Sequence, residues 1–491
     1  MLFNSVTFIL LFLPLSLLGW YWLQRLADPR YARLFLIGMS LWFYGYYNPW
    51  YLALLGSSVL LNHGFSRLFT HFSTPAGRKW VLGAGLTFNL GLLFYFKYFN
   101  FFIDNCNFFL HTDLQVEKIA LPLGISFFTF QQVSFLVDRY REDAPCYGFW
   151  EYACFVTYFP QLVAGPIVLH SEFIPQLRER KNRKPHSGQF FDGAALFILG
   201  LGKKVLLADV LAIMVNTVFD DIAIIPYYLD APTGIITILF YMLELYFDFS
   251  GYCDMARGMA AMFGFTLPVN FRSPLKAVSV QDFWRRWHIT LSRFLSAYIY
   301  IPLGGNRKGK RRRCINLWIV FLASGLWHGA NWTFVLFGIL HGTAIVLEVL
   351  FPKLERLPHR LRQCLTMLFV TLAWVPFRSD SLTTALTYFR RMFTVGWSGY
   401  LMRFAAHLQI PENYAVIKFL KLRGPQYLTP FYLICTGMLL LISLLFIRGR
   451  EAEEWIREKA CSFKGIFCLA TVFTWSFISL SEISTFLYFN F

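Results

Sequence analysis

From Leu322 to Gly342 the chain reads LASGLWHGANWTFVLFGILHG. About twenty apolar residues suffice to cross a bilayer, so this run is long enough to span one. A histidine, His328, is set deep inside it, and a second, His341, stands near its far end. An ionisable group at membrane depth is costly, which marks it as a candidate functional residue. A histidine satisfied inside a packed core is the alternative reading. For His341 the packing or hydrogen-bonding reading is the one adopted.

Comparable runs recur along all 491 residues. The chain is 56% hydrophobic and 15% charged, against about 25% charged in a soluble domain. The reading is an all-α polytopic membrane protein embedded in lipid, with about 11–13 transmembrane helices plus re-entrant and amphipathic pieces. The net charge is +17, yet the basic residues sit in short clusters between apolar runs. That is the pattern of loops held at an anionic cytoplasmic leaflet, and it excludes a nucleic-acid partner. Nine cysteines occur without a CxxC pair, and no metal-ligand spacing is present.

Val6–Leu23 reads as a retained first span with Met1 outside, because Arg25, Arg30 and Arg33 follow it. Leu34–Tyr47 and Tyr51–Leu61 read as a pair going out and back. Trp80–Phe96 leads outward to a loop from Asp104 to Glu117, and Ile119–Val137 returns. Phe149–Leu169 poses a parity problem. Both its flanks are basic, the far one carrying Arg178, Arg180, Lys181, Arg183 and Lys184, and Pro160 and Pro166 interrupt it. A re-entrant element lining a protein cavity fits both facts. Phe190–Val215 goes out to an acidic loop, Phe219–Asp230, and Ile235–Phe249 comes back. Ser250–Arg313 shows no clean span. Ile315–Leu350 predicts two helices broken near Ser324–Asn331, flanked by Arg307–Arg313 and by Lys353, Arg356, Arg360 and Arg362. Later runs are Leu365–Phe377, Tyr427–Phe446 and Ile466–Leu480. The whole is one domain, with the motif-bearing core over about 115–380 and C-terminal helices over 381–491.

Between Phe283 and Gly309 the chain reads FWRRWHITLSRFLSAYIYIPLGGNRKG. Trp284, Trp287, Leu291 and Tyr298 recur at helical spacing, which predicts an amphipathic helix at the cytoplasmic interface. On it Arg285, His288 and Ser292 share a face. Histidine is the usual general base near neutral pH. The phosphates of a thioester such as acetyl-CoA could meet the neighbouring Arg and Lys residues, although topology alone also accounts for those charges. Asp248, in LYFDFSGYCDM, could orient a histidine or an amide; a structural role is the preferred reading. No phosphate loop, catalytic carboxylate pair or Gx-Ser-xG elbow is present.

These segments carry a resemblance. LPLGISFFTFQQVSFLVDRYRE (Leu121–Glu142), YFPQLVAGPIV (Tyr158–Val168), YFDFSGYCDMARGMAAMFGF (Tyr246–Phe265), FWRRWHITLS (Phe283–Ser292), YIPLGGNRKG (Tyr300–Gly309) and SGLWHGANWTFVLFGILHG (Ser324–Gly342) resemble motifs of the membrane-bound O-acyltransferases. Within that family they are most similar to the bacterial branch of alginate O-acetylase membrane subunits. WVPFRS (Trp374–Ser379) and the terminal FLYFNF extend the match. The resemblance implies a ring of helices around a thin centre, with a tunnel leading from the cytoplasm to an outer funnel. It implies that His328, in the WHG motif beside Trp327, is general base or proton shuttle, and that His288 assists. Two departures stand out: Ser296-Ala297 replace an expected Arg-Asp pair, and Leu169 replaces an expected basic residue.

The function expected is transfer of an acetyl group from a cytosolic acyl thioester such as acetyl-CoA across the bacterial inner membrane. The acceptor expected is an envelope polysaccharide, alginate-like or peptidoglycan, with no resident cofactor or metal. Since the chain lacks a hydrolase-type serine motif, a separate extracytoplasmic serine-hydrolase-like transferase is the expected partner. Asn331 or backbone amides would stabilise the oxyanion. D-alanyl transfer to teichoic acid and, in another class, lipid or sugar transport are the alternatives.

Overall fold

The computed structural model describes residues 1–26, 28–117, 119–179, 186–224, 229–481 and 486–487. Arg180, Lys181, Arg183 and Lys184 of the basic loop, and Tyr488–Phe491 of the terminal motif, lie outside the described residues. Those described form helices, turns and loops, with no strand among them.

Four of the helices are long and apolar enough on their own to cross a bilayer: Pro75–Leu110, Ala231–Met262, Trp332–Leu350 and Pro425–Arg448. They occupy different places. The apolar window of Ala231–Met262 is 78% buried, whereas that of Pro425–Arg448 is 11% buried. The first is therefore the axis of the protein, and the second offers its apolar surface to lipid. Buried polar residues occur both on these helices and on others, where they lower the hydropathy. The Asn62 and Asn89 amides bond each other (2.6 and 3.1 Å), and Gln132 donates to Ser58 (2.9 Å) and accepts from Tyr152 (3.2 Å). At membrane depth such groups are tolerated when they satisfy one another.

Small residues set the central packing. Gly193 and Gly200, on Ser187–Gly202, face Gly258 and Gly251 on the axial helix. A Cβ on Gly200 would stand 2.6 Å from the Gly251 carbonyl oxygen. Backbones approach this closely only where side chains are absent. The axial helix consequently continues well past Phe249, to Met262, where the sequence pattern showed no span. Pro75–Leu110 likewise runs through Asp104, expected in a loop, and Asp220 and Asp221 lie within the helix Asp209–Ile224.

Phe149–Leu169 forms two short helices, Phe149–Thr157 and Phe159–Leu162, followed by irregular chain, and Tyr152–Val168 is buried throughout. Nine helical residues extend only about 14 Å, so no bilayer-length helix exists here. Protein covers the irregular backbone, as membrane depth requires.

The expected amphipathic helix is corrected. It is broken into Val280–Arg286 and Ile289–Leu295, with His288 between them at φ 45°. The segment is buried rather than laid on a surface, as Phe283, Trp287, His288 and Leu291 are all at most 1% exposed. The periodicity reflected packing on both sides. With the helix interrupted, Arg285, His288 and Ser292 do not share a face. Arg285 is exposed, and Ser292 donates to the Trp284 carbonyl (3.1 Å).

Gly309–His328 and Trp332–Leu350 form a hairpin that turns at Gly329–Asn331. Both its open ends carry the basic clusters, so its turn lies at the opposite end. Gly325 and Gly338 let the two helices touch: a Cβ on Gly338 would lie 2.5 Å from the Phe321 carbonyl oxygen. Gly338→Val will lower the thermal unfolding midpoint in detergent, since overpacking costs about 1–3 kcal/mol. Gly83→Ala, where a Cβ meets nothing within 4 Å, will not lower the midpoint.

Candidate active site

The helix Gly309–His328 covers about 30 Å from the basic cluster, so its last residue, His328, stands at the end remote from those charges. The last carbonyls of a helix have no partner within it. Here they are taken up from outside. Lys97 Nζ donates to the carbonyls of Trp327 (2.7 Å) and His328 (3.0 Å), and Tyr98 Oη donates to that of Leu326 (2.8 Å). Both donors lie in a π-helical turn, Phe94–Tyr98, inside a longer helix. Such turns are common at functional positions, and a cation at a helix C-terminus is favourable.

The His328 side chain is 2% exposed. Its ring lies 4.9 Å from Trp327, 5.1 Å from Phe377 and 5.9 Å from Phe337, centroid to centroid. Trp327 in turn lies 5.7 Å from the His288 ring and stacks on Phe130 at 5.5 Å. Trp327 thus stands between the two histidines and touches both.

His288 is fully buried and is fixed by Asn270. The Asn270 Oδ1 receives Thr290 N (3.1 Å), Thr290 Oγ1 (2.9 Å) and His288 Nδ1 (3.2 Å). An amide oxygen only accepts, so His288 carries its proton on Nδ1 and a basic lone pair on Nε2. Thr290 Oγ1 accepts from the Ile167 amide (3.0 Å), tying the re-entrant segment to the same knot.

Besides an apolar groove along Phe130 and Trp327, two cavities with lysine side chains in their walls lie at this end of the hairpin. One, of about 50 Å³, has His328, Trp327 and Lys97 in its wall. The other, of about 650 Å³, is polar and is bounded by the turn Gly329–Asn331 and by Phe377. Its walls include Lys204, Asp209, Glu244, Asp248 and Arg378. Lys204 joins Asp248 (2.6 Å) and Asp209 (2.7 Å), and Asp248 also accepts from the Leu487 amide (2.9 Å). Asp248 therefore shapes this cavity and does not orient a histidine.

Asn331 lines the larger cavity, but its amide is engaged at both ends. Oδ1 accepts from Thr333 N (3.1 Å) as a helix cap, and Nδ2 donates to the Asp380 carbonyl (2.8 Å). These bonds hold the amide in place and use one of its two N–H donors. His341 accepts from Trp284 Nε1 (3.1 Å) and is packed among Phe337, Phe369 and Trp374. Lys97, Asn270 and Glu244 were missed by sequence reasoning. Lys97 and Glu244 were visible as ionisable residues inside apolar runs; Asn270 gave no signal. Of the two departures, Ser296-Ala297 open a π-helical turn, and Leu169 precedes a helix whose Glu172 pairs with Arg293 (2.5 Å).

The sequence model of the membrane-bound O-acyltransferase family matches residues 91–377. The chain is 38% identical to the peptidoglycan O-acetyltransferase of Helicobacter pylori, over 100% of this chain and 98% of that one. It is 37% identical to the probable alginate O-acetylase AlgI of Pseudomonas putida over 81% of each. It is 25% identical to the teichoic acid D-alanyltransferase of Streptococcus thermophilus, over 62% of this chain and 83% of that one.

Asn270→Ala would strand three buried donors at once, each costing about 1–3 kcal/mol. The thermal unfolding midpoint in detergent will fall by several degrees, and Asn270→Asp, which keeps an acceptor oxygen, will lose less.

Proposed function

The chain belongs to the membrane-bound O-acyltransferase family and is an acyltransferase, and from that premise we propose that it moves an acetyl group from a cytosolic thioester across the bacterial inner membrane for O-acetylation of an extracytoplasmic envelope polysaccharide. The observation that carries the reading is the place of His328. It sits buried at the end of Gly309–His328, in the wall of the small cavity, and the residues that follow it, Gly329–Asn331, line the polar cavity. The full-length identity to a relative named for peptidoglycan O-acetylation supports the acceptor class, and its excess over the identity to the D-alanyl relative favours acetyl.

In this reading acetyl-CoA or another acyl thioester enters from the basic end. Arg307–Arg313 and the exposed Arg285 meet its phosphates and take no part at the reacting atoms. The acceptor hydroxyl arrives through the polar cavity. His328 removes its proton as the oxygen attacks the thioester carbonyl. Trp327 fixes the spacing between His328 and His288, and the Nε2 lone pair of His288 assists by receiving or relaying a proton. A separate extracytoplasmic serine-hydrolase-like transferase completes delivery to the polymer.

His328→Ala will reduce ester-linked acetate on envelope polymers by about 10²–10⁴-fold, at unchanged amounts of protein in the membrane. Acetylation at the wild-type level in that variant would contradict the assignment. Mass spectrometry of polymers from a deletion strain identifies the acceptor.

A further inference from the structure

An apolar groove of about 1190 Å³ runs between residues 199–216 and the C-terminal helices Pro425–Arg448 and Phe463–Ile478. Met438, Ile442, Phe467 and Ile478 in its wall are all exposed, so it opens toward lipid. Its length follows the helices. Phe446 and Phe467 stand at the end near Arg448 and Lys464, and Trp475 and Ile478 lie toward the opposite face. There Trp475 Nε1 donates to Glu412 Oε1 (2.7 Å), the placement an indole takes at a membrane–water interface.

This groove is continuous with the polar cavity. Asp209, Ala212 and Asn216 line both. They follow one another at i, i+3 and i+7, so one stripe of the helix Asp209–Ile224 is a wall common to the two spaces. An apolar channel that runs into a polar chamber matches the tail and head of an amphiphile. The chamber also selects the head. Its wall carries four carboxyl groups, Asp209, Glu244, Asp248 and Asp380, against two cations, Lys204 and Arg378. Both cations are already engaged. Lys204 pairs with Asp209 and Asp248, and Arg378 donates to Asn216 Oδ1 (2.8 Å) and lies over the Phe219 ring. A phosphate would therefore meet mostly negative charge. Glu244 is 1% exposed, and its Oε2 has no hydrogen-bond partner among the described residues. A buried oxygen of this kind calls for a donor, which a hydroxyl supplies.

We propose that the groove and the polar cavity together hold an amphiphile of the leaflet opposite the basic clusters. Its alkyl tail lies between Pro425–Arg448 and Phe463–Ile478, and its uncharged, sugar-type head donates a hydroxyl to Glu244. This rests on the acetyl-transfer reading above and deepens it by naming the acceptor class: the first acceptor of the acetyl group is a glycolipid-type molecule taken from the bilayer and not a free polymer. In the step, a head hydroxyl oxygen forms a C–O bond to the thioester carbonyl carbon, the C–S bond breaks, and the hydroxyl proton passes through His328 to the departing thiolate. The acetylated amphiphile then leaves sideways through the groove, and the separate transferase draws on it.

The test uses the full-length protein in phosphatidylcholine nanodiscs, whose lipid offers no head hydroxyl, with acetyl-CoA and either dodecyl or methyl β-D-glucoside. Wild-type kcat/KM will be higher for dodecyl glucoside by about a hundredfold or more, as burial of an alkyl tail supplies. Ala470 lines the groove and is exposed, so Ala470→Trp fills the channel without entering the core. It will lower the dodecyl-to-methyl ratio by about tenfold or more, the scale on which pocket contacts discriminate. Leu441→Trp, 56% exposed and outside the groove wall, will keep the wild-type ratio. Glu244→Gln will raise the KM for both glucosides by about tenfold, as loss of a charge-assisted hydrogen bond does. A wild-type ratio in Ala470→Trp overturns the proposal, the case in which a partner's transmembrane helix is the occupant included. An unchanged KM in Glu244→Gln overturns the placement of the head. Saturable retention of tritiated dodecyl glucoside, measured without acetyl-CoA, separates the failures. Protein that retains it, loses retention in Ala470→Trp and yet moves no acetyl group overturns the acetyl-transfer reading and leaves the groove standing. Protein that supports acetylation of envelope polymers in cells but neither retains nor acetylates dodecyl glucoside overturns the proposal alone.

Discussion

Lys97 holds the carbonyl oxygens of Trp327 and His328, the last two residues of the helix that crosses from the basic cluster. Helix ends need such partners, and water is scarce at membrane depth. With the ammonium in place the helix can stop abruptly, turn through Gly329–Asn331, and return as its antiparallel neighbour. The stop fixes His328, and with it Trp327, which reaches back to His288. One cation thus sets where the ionisable ring stands in the wall of the small cavity, one residue before the chain that lines the polar one. The close glycine contacts at Gly325 and Gly338 make the same hairpin stiff along its length.

The surrounding protein resolves a conflict inherent in such a site. Chemistry needs polar groups, and the bilayer penalises them. The solution is local pairing. Asp138 receives Tyr298 (2.8 Å) and His170 (3.0 Å), and His170 contacts Tyr147 (3.0 Å). Lys203 is paired with Asp254 (2.6 Å) one residue before the Lys204 cluster, within another π-helical turn. Two of the π-helical turns therefore carry the buried lysines beside the two cavities. Widening a turn re-aims a long side chain inward without breaking the helix.

Much of this was legible in the sequence, for reasons that can be stated. The hairpin and its break were visible because the apolar run is long, both flanks are basic, and glycine and asparagine interrupt it. The irregular Phe149–Leu169 segment was visible because its prolines and its charge parity disagreed with a simple span. The broken segment around His288 was not. Its apolar periodicity suits one continuous helix, and the break is imposed by Asn270, eighteen positions away. Local pattern does not register a side chain that arrives from elsewhere. Arg285 was misplaced for the same reason, since its shared face with His288 existed only on the unbroken helix. Lys97 was visible as a charge in an apolar run, but its partners lie some 230 residues along the chain.

In the proposed function one chain brings a donor from the basic end and an acceptor from the opposite face to the same histidine. Purified protein reconstituted in one orientation into sealed vesicles tests it, with radiolabelled acetyl-CoA on one side and a hydroxyl acceptor on the other. Label is expected on the acceptor when acetyl-CoA faces the Arg307–Arg313 cluster, and none when the two are exchanged. Transfer that requires donor and acceptor on the same side would contradict it.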